Sequence, residues 1–313
     1  MRHVTAKEAR RLLDYPGLVE ALRAAHRAGK LPDTHRDIRE DSAHNKFVSL
    51  LSWADGDVIA VKMVGVFPGN LALLPPEPSV QGLVALFSGT TGAPLLTADG
   101  AEFTFRKTAA DSALGADYLA RRDAKVLLVC GAGGLAPHVI AAHMAVRPSI
   151  ERVLVWNRTL ARAEALASSL PHLRIAVTAI LDAALPEADI VSCVTMATEP
   201  FVKGALLKPG AHVDLIGAYL PGMREADDET VRRAGQIFLD TRLFCERSGD
   251  IIEPLARGLI SRDGLVADLF DLCGGRHPGR KSDSEITMYK NCGGGHLDLF
   301  TARLLLQRLN QKG

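Results

Sequence analysis

Residues 126–136 read Val-Leu-Leu-Val-Cys-Gly-Ala-Gly-Gly-Leu-Ala. An apolar run halts at Gly131-Ala132-Gly133 and passes through Gly134, Leu135 and Ala136 into a helical pattern. This strand–turn–helix, with glycines spaced Gly-x-Gly-x-x-Ala, restricts the fold more than any other stretch. Gly131 permits a tight turn, Gly133 lets the backbone approach a pyrophosphate, and Ala136 lets the helix pack close to the strand. The helix N-terminus offers unpaired N–H groups to an anion. A second apolar strand, Arg152-Val-Leu-Val-Trp-Asn157, follows one helix later and sets the motif inside a βαβ unit. The alternative, a glycine turn in an unrelated α/β unit, lacks that context.

The end of the second strand bears on which dinucleotide is bound. An NAD site usually places Asp or Glu there to hold the ribose 2′-hydroxyl. Here Asn157 stands at that position, followed by Arg158, Thr159 and Arg162. A carboxylate would repel a 2′-phosphate, whereas a guanidinium binds it through two parallel hydrogen bonds. NADP(H) is therefore preferred and NAD(H) remains possible. The same residues also read as a helix cap (Asn157 or Thr159) with solvated arginines, and both readings can hold at once. Gly131, Ala132, Gly133, Gly134, Leu135, Asn157, Arg158, Thr159, Arg162 and Thr195 form the candidate cofactor set.

Bulk properties exclude several classes. A chain of 313 residues with 47% apolar composition suits two domains with substantial cores. A net charge of +1, with Lys and Arg scattered, argues against a nucleic-acid surface. No apolar stretch is long enough to span a bilayer, and the first residues carry no signal-peptide core, so a cytoplasmic location is expected. Five widely spaced cysteines show no zinc or redox spacing and read as reduced thiols. The ten histidines form no clustered ligand pattern, and no metal site is expected.

The first segment reads as helical, with a capping box at Thr5-x-x-Glu8 and a helix restarting at Tyr15-Pro16. From Lys46 to Thr104 the pattern changes to strands joined by turn signals such as Asp55-Gly56 and Asp99-Gly100, which predicts an antiparallel sheet. A helix from Thr108 to about Arg121 leads into strands and helices that alternate through Val153, Ile175, Ile190, Val213 and Ile237. The expected fold class is α/β: a Rossmann doubly wound parallel sheet plus a second α+β substrate-binding and dimerisation domain. The segment from Glu285, ending in an amphipathic helix, fits no further βα repeat and is expected to return to the first domain. The expected division is 1–115 with 288–313, and 116–287 for the Rossmann domain.

Over nearly its whole length the chain resembles the ornithine cyclodeaminase/mu-crystallin family. The resemblance rests on Val61-Lys-Met-Val-Gly-Val-Phe-Pro-Gly-Asn70, Thr91-Gly-Ala-Pro-Leu95 and Thr104-Phe-Arg-Lys-Thr-Ala-Ala-Asp-Ser-Ala113. It continues in Gly131-Ala-Gly133, Asn157-Arg-Thr159, Pro209-Gly-Ala-His-Val213 and Pro221-Gly-Met-Arg-Glu225. It implies a homodimer whose split substrate domain accompanies a Rossmann domain, with hydride moving between a nicotinamide and the α-carbon of an amino or imino acid. It places a substrate carboxylate among Arg36, Lys62 and Lys107, with Gln81 and Asn291 as polar lining. Lys107 stands where most members have arginine, which keeps the charge and loses the bidentate fork; Arg106 beside it either compensates or points away. Lys62 is also telling by itself. It sits in an apolar strand, where a buried ammonium is costly without a partner, and a substrate carboxylate would serve. The alternative is an exposed lysine on one face of an edge strand.

The departure from the family is Tyr219. Ornithine cyclodeaminases read Gly-x-Asp-x-Pro-Gly where this chain reads Gly217-Ala-Tyr-Leu-Pro-Gly222. That aspartate handles the amine end of ornithine and the proton transfers. Asp227 and Asp228 read as helix-capping acids, and Asp214 as a weaker substitute. Cyclising ornithine requires oxidation to an imine, loss of ammonia and reduction of the cyclic imine; the chain keeps the parts for the last stage. The expectation is a reductase turning Δ1-pyrroline-2-carboxylate or Δ1-piperideine-2-carboxylate into L-proline or L-pipecolate. The alternatives are an ornithine cyclodeaminase, another amino acid dehydrogenase, or a non-enzymatic binding protein of the mu-crystallin kind. The expected partners are a small amino or imino acid and a second copy of the chain, with no nucleic acid or membrane.

Overall fold

The turn signals of the first hundred residues build a six-stranded sheet. The structure, a computed structural model, describes residues 1–245 and 247–311. The chain forms two compact units, the first comprising Met1–Ala25, Gly29–Thr108 and Gly294–Gly313, the second His26–Ala28 and Ala109–Gly293.

The first unit contains β1 (Arg2–Val4), α1 (Ala6–Leu12), α2 (Tyr15–Arg27), β2 (Asp33–Glu40), β3 (Lys46–Trp53), β4 (Val58–Val66), β5 (Val80–Ser88) and β6 (Pro94–Asp99). Thr5 and Glu8 close the capping box of α1. The sheet order is β1-β6-β5-β4-β3-β2, antiparallel except for the parallel β1–β6 pair. The strand signal misses β2 because it reads Asp-Thr-His-Arg-Asp-Ile-Arg-Glu, the charged pattern of an edge strand. Helix α3 (Gly100–Leu119) begins eight residues before the expected Thr108. Asp99 Oδ1 accepts the Glu102 N–H at 2.8 Å, which satisfies one of the free donors of its first turn. Lys107 therefore sits on a helix.

Strand pairing fixes which side chains share a face. Arg36, Leu50, Lys62, Val84 and Ala98 lie in one row across β2 to β6. This inner face is covered by the C-terminal helix (Gly295–Asn310), which packs against β2 to β5. Phe47, Leu51, Trp53 and Met63 lie on the other face and are exposed.

The second unit holds β7 (Val126–Cys130), α4 (Ala136–Val146), β8 (Arg152–Trp156), α5 (Leu160–Ser169), β9 (Ile175–Thr178), α6 (Leu181–Ala184), β10 (Ile190–Cys193) and β11 (His212–Leu215). It continues with α7 (Asp228–Ala234), β12 (Ile237–Leu239), α8 (Arg242–Cys245), α9 (Gly249–Ala256), β13 (Leu265–Asp268), α10 (Leu269–Cys273) and β14 (Thr287–Lys290). Helix α11 (Gly295–Asn310) follows in the first unit. All eight strands run parallel in the order β13-β12-β14-β11-β10-β7-β8-β9, the doubly wound arrangement. Leu128, Val191, Val213, Leu215, Leu239 and Met288 are among its buried core residues. The segment expected to leave this sheet at 288 supplies one of its inner strands, β14, and the chain re-enters the first unit at Gly294. Among the described residues no helix is long and apolar enough to cross a membrane, and no cluster of His, Cys, Asp or Glu could hold a metal.

Candidate active site

Lys62 is neither exposed nor on an edge strand. It lies on β4, between β3 and β5, and is 5% exposed. Its ammonium donates to Asp298 Oδ1 at 3.0 Å, and Lys107 Nζ lies 3.7 Å from the same oxygen. Lys107 and Asp298 are buried as well. The partner that Lys62 requires is thus already in the chain, on the first turn of α11. Gly295 makes this geometry possible. A Cβ there would meet Thr34 Cγ2 at 2.7 Å and Ser52 Cβ at 3.2 Å, so only glycine lets the helix start this close to β2 and β3. Burial pushes the Lys62 ammonium down to about 8; Asp298 opposes the shift and the neighbouring Lys107 ammonium adds to it.

Arg36 shares the inner face with Lys62, two strands away, and is half-buried. Arg106 points elsewhere. It donates to Glu102 Oε1 at 2.6 Å and to the Leu13 carbonyl at 2.7 Å, and stacks over Tyr15 at 4.9 Å. It does not compensate for lysine at position 107. Gln81 pairs with Gly65, an odd position of β4, and so lies on the face opposite Lys62. It borders a hollow lined by Phe47, Gly65, Phe67, Asn70 and Pro78. Strand alternation separates Gln81 from the ammonium pair.

In the second unit, the glycine turn has the form a dinucleotide needs. Gly131 has φ +118° and a Cβ there would strike Val194, so the turn demands glycine. A Cβ at Gly133 would meet nothing within 4 Å, which leaves open space above the backbone. The N–H groups of Gly133, Gly134 and Leu135 pair with no acceptor among the described residues. Ala132 N–H donates to Asn157 Oδ1 at 3.3 Å, and Asn157 Nδ2 donates to the Thr159 carbonyl at 2.8 Å, tying the turn to the end of β8. Thr159 is the N-cap residue of α5 but its side chain makes no capping bond. Arg158 and Arg162 are exposed, and their side chains make no hydrogen bond or ion pair among the described residues. This donor set fits a dinucleotide.

Thr195 leads to a residue the sequence reading missed. Its N–H and hydroxyl both donate to Glu225 Oε1 at 2.8 Å, and the N–H groups of Gly217 and Ala218 donate to Glu225 Oε2. One buried carboxylate thus joins the loops that follow β10 and β11. Burial pushes its carboxyl up to about 7, against the attraction of Lys290 and with the repulsion of Asp250. Lys290 donates to Asp250 Oδ2 at 3.1 Å, both fully buried. Asn291 is buried and donates to Ser112 Oγ at 3.0 Å, with its Oδ1 accepting Gly293 N–H.

The acids considered as substitutes at Tyr219 have other partners. Asp214 is fully buried and accepts from Ser112 and Ser192. Asp227 caps α7 through Thr230 N–H. Asp228 pairs with Arg224 and Arg257. Tyr219 itself is half-buried.

A glycine turn opening a helix in a doubly wound parallel sheet defines a Rossmann-type dinucleotide protein, and the first unit adds a buried pair of ammonium groups beside Asp298. The chain belongs to the ornithine cyclodeaminase/mu-crystallin family, whose model matches residues 3–313. It is 40% identical to a Δ1-pyrroline-2-carboxylate reductase of Paracoccus denitrificans over 294 residues, 93% of this chain and 91% of the relative. Among solved structures it is similar to the Thermococcus litoralis Δ1-pyrroline-2-carboxylate reductase in complex with NADH and L-proline, with TM-score 0.92 and 29% identity, covering 100% of this chain and 98% of that one. It is also similar to an archaeal alanine dehydrogenase dimer with bound NAD, with TM-score 0.87 and 25% identity, covering 100% and 97%.

Proposed function

We propose that the chain is a nicotinamide-dependent oxidoreductase that reduces a cyclic imino acid, Δ1-pyrroline-2-carboxylate or Δ1-piperideine-2-carboxylate, to L-proline or L-pipecolate. The observation that carries this reading is the buried pair Lys62 and Lys107, sharing one carboxylate oxygen of Asp298. Two ammonium groups and one carboxylate leave one positive charge, which suits one substrate carboxylate. A dinucleotide held at the Gly131–Leu135 turn would supply hydride to the imine carbon. Arg36 and Lys107 hold the carboxylate. Lys62, directly or through water, gives a proton to the imine nitrogen; an ammonium titrating near 8 is well matched to that task. The C=N bond becomes CH–NH, and Lys62 recovers its proton from solvent.

Gly131–Leu135 would hold the pyrophosphate and Asn157 the adenosine ribose. NADPH is the preferred cofactor, supported by Arg158 and Arg162 at a strand end that carries no acid. Thr195, fixed by its two hydrogen bonds to Glu225, would contact the dinucleotide. The protein works as a homodimer, supported by the exposed Phe47, Leu51, Trp53 and Met63 on one sheet face. A cytoplasmic location fits its free cysteine thiols.

The test is NADPH and NADH oxidation by purified protein against a panel of pyrroline and piperideine carboxylates, pyruvate with ammonia, and oxaloacetate with ammonia. Turnover of a cyclic imine at least tenfold above the open-chain imines is expected. Preference for the pyruvate mixture would instead point to an alanine dehydrogenase.

A further inference from the structure

The apolar stripe of α11 carries an acid. Asp298, Thr301, Ala302 and Leu305 follow one another at helical spacing and all are buried. A carboxylate in such a stripe is costly unless cations meet it, and here two do. Asp298 Oδ1 takes the Lys62 ammonium at 3.0 Å and lies 3.7 Å from that of Lys107. Its other oxygen, Oδ2, is buried with no hydrogen-bond partner among the described residues. The site thus keeps carboxylate capacity in reserve on the side of the acid that the lysines do not use.

We propose that Asp298 is a positioning residue of the reduction: it orients the Lys62 ammonium and offsets the repulsion between Lys62 and Lys107, so that both stay charged when the imino acid arrives. This rests on the reductase reading of the same site. Among the described residues, the charged groups facing Lys62 are Asp298 from α11, Lys107 from α3 and, two strands along the same face, Arg36 from β2. Asp298 is the single anion in this set. Without it, burial and Lys107 both drive the Lys62 proton off, from a starting value already near 8.

The test uses full-length protein labelled with ¹³C at lysine Cε, with Lys62 assigned through Lys62→Met. In Asp298→Asn, which keeps shape and one acceptor, Lys62 should lose its proton at least one pH unit lower than in wild type. The alkaline limb of kcat/KM for the cyclic imine should move by the same amount, giving about a fivefold loss or more at pH 8. Lys62 titrating at the same pH in both proteins would overturn the proposal. Should Asp298→Asn fail to fold, Lys107→Met provides the opposite sign: with the shared carboxylate serving Lys62 alone, its proton should be held to higher pH, and an unchanged titration would overturn the proposal. The NMR measurement needs no turnover. A shifted Lys62 in a protein that reduces no cyclic imine would sink the reductase reading and leave the charge coupling standing.

Discussion

Replacing Lys62 with methionine keeps a long, flexible side chain in the same space and deletes the ammonium. In the folded protein that ammonium titrates near 8 rather than 10.5, because burial outweighs the attraction of Asp298 and Lys107 repels it. In the unfolded chain it titrates near the ordinary lysine value. Between about pH 8 and 10.5 the unfolded state therefore holds a proton that the folded state has released, and stability linked to Lys62 rises with pH. The drop from 10.5 to about 8 corresponds to about 3 kcal/mol. Below pH 8 the folded protein bears that cost in full; above 10.5 it bears almost none. Other groups act in the same range with the opposite sign. Burial keeps the Cys193 and Cys245 thiols and the Tyr289 hydroxyl protonated to higher pH than in the unfolded chain, so they lower stability as pH rises. Subtracting the variant from the wild type cancels them. Urea unfolding of both proteins at pH 7.5 and 10.5 should show wild type gaining about 3 kcal/mol on Lys62→Met across the interval. Parallel stability curves would refute the account of the buried ammonium. Activity should move the other way: the variant's kcat/KM for the cyclic imine should fall by roughly a hundredfold, and wild-type activity should decline above pH 8 while its stability linked to Lys62 rises.

Arg158→Ala should weaken NADPH by about tenfold or more while leaving NADH nearly unchanged; equal loss for both, measured by fluorescence titration, would remove Arg158 from the 2′-phosphate. Light scattering at micromolar concentration should give twice the chain mass, and Trp53→Glu, which puts a charge on the exposed apolar face of the first sheet, should shift the protein toward monomer. Ornithine with either oxidised cofactor should release little or no ammonia, because Tyr219 is neutral near pH 7 and Asp214, Asp227 and Asp228 are engaged elsewhere. Stoichiometric ammonia and proline would show that one of those acids serves as the missing base.

Much of the fold was legible because its signals are local. The glycine turn, the capping box at Thr5 and Glu8, and the apolar strands each follow from a few adjacent residues. What was missed depends on pairing at a distance. Strand β2 is charged at five of its eight positions and becomes a strand only by lying along β3. Strand β14 reads as an isolated segment, yet it takes an inner place between β11 and β12. The start of α3 at Gly100 is set by close approach to the backbone of Gly82, where a Cβ would come within 2.3 Å.

The site divides in the same way. A lysine inside an apolar strand announces a buried charge, and that inference needs only β4. The identity of its partner needs the whole chain, since Asp298 is 236 residues away in sequence and reaches Lys62 only because Gly295 seats α11 against the sheet. Sequence reasoning assigned the compensating carboxylate to the substrate. The structure places a resident one there and adds Lys107 to it, which changes the chemistry expected of the lysine. A lone buried ammonium awaiting substrate would lose its proton in the empty protein. One held by Asp298 beside a second ammonium titrates near 8, charged at neutral pH and yet weak enough as a base to give its proton up. Asp298 on the apolar face of α11 was the one available signal: an acid at a stripe position implies a buried cation, just as a lysine in a strand implies a buried anion, and neither half is interpretable without the other.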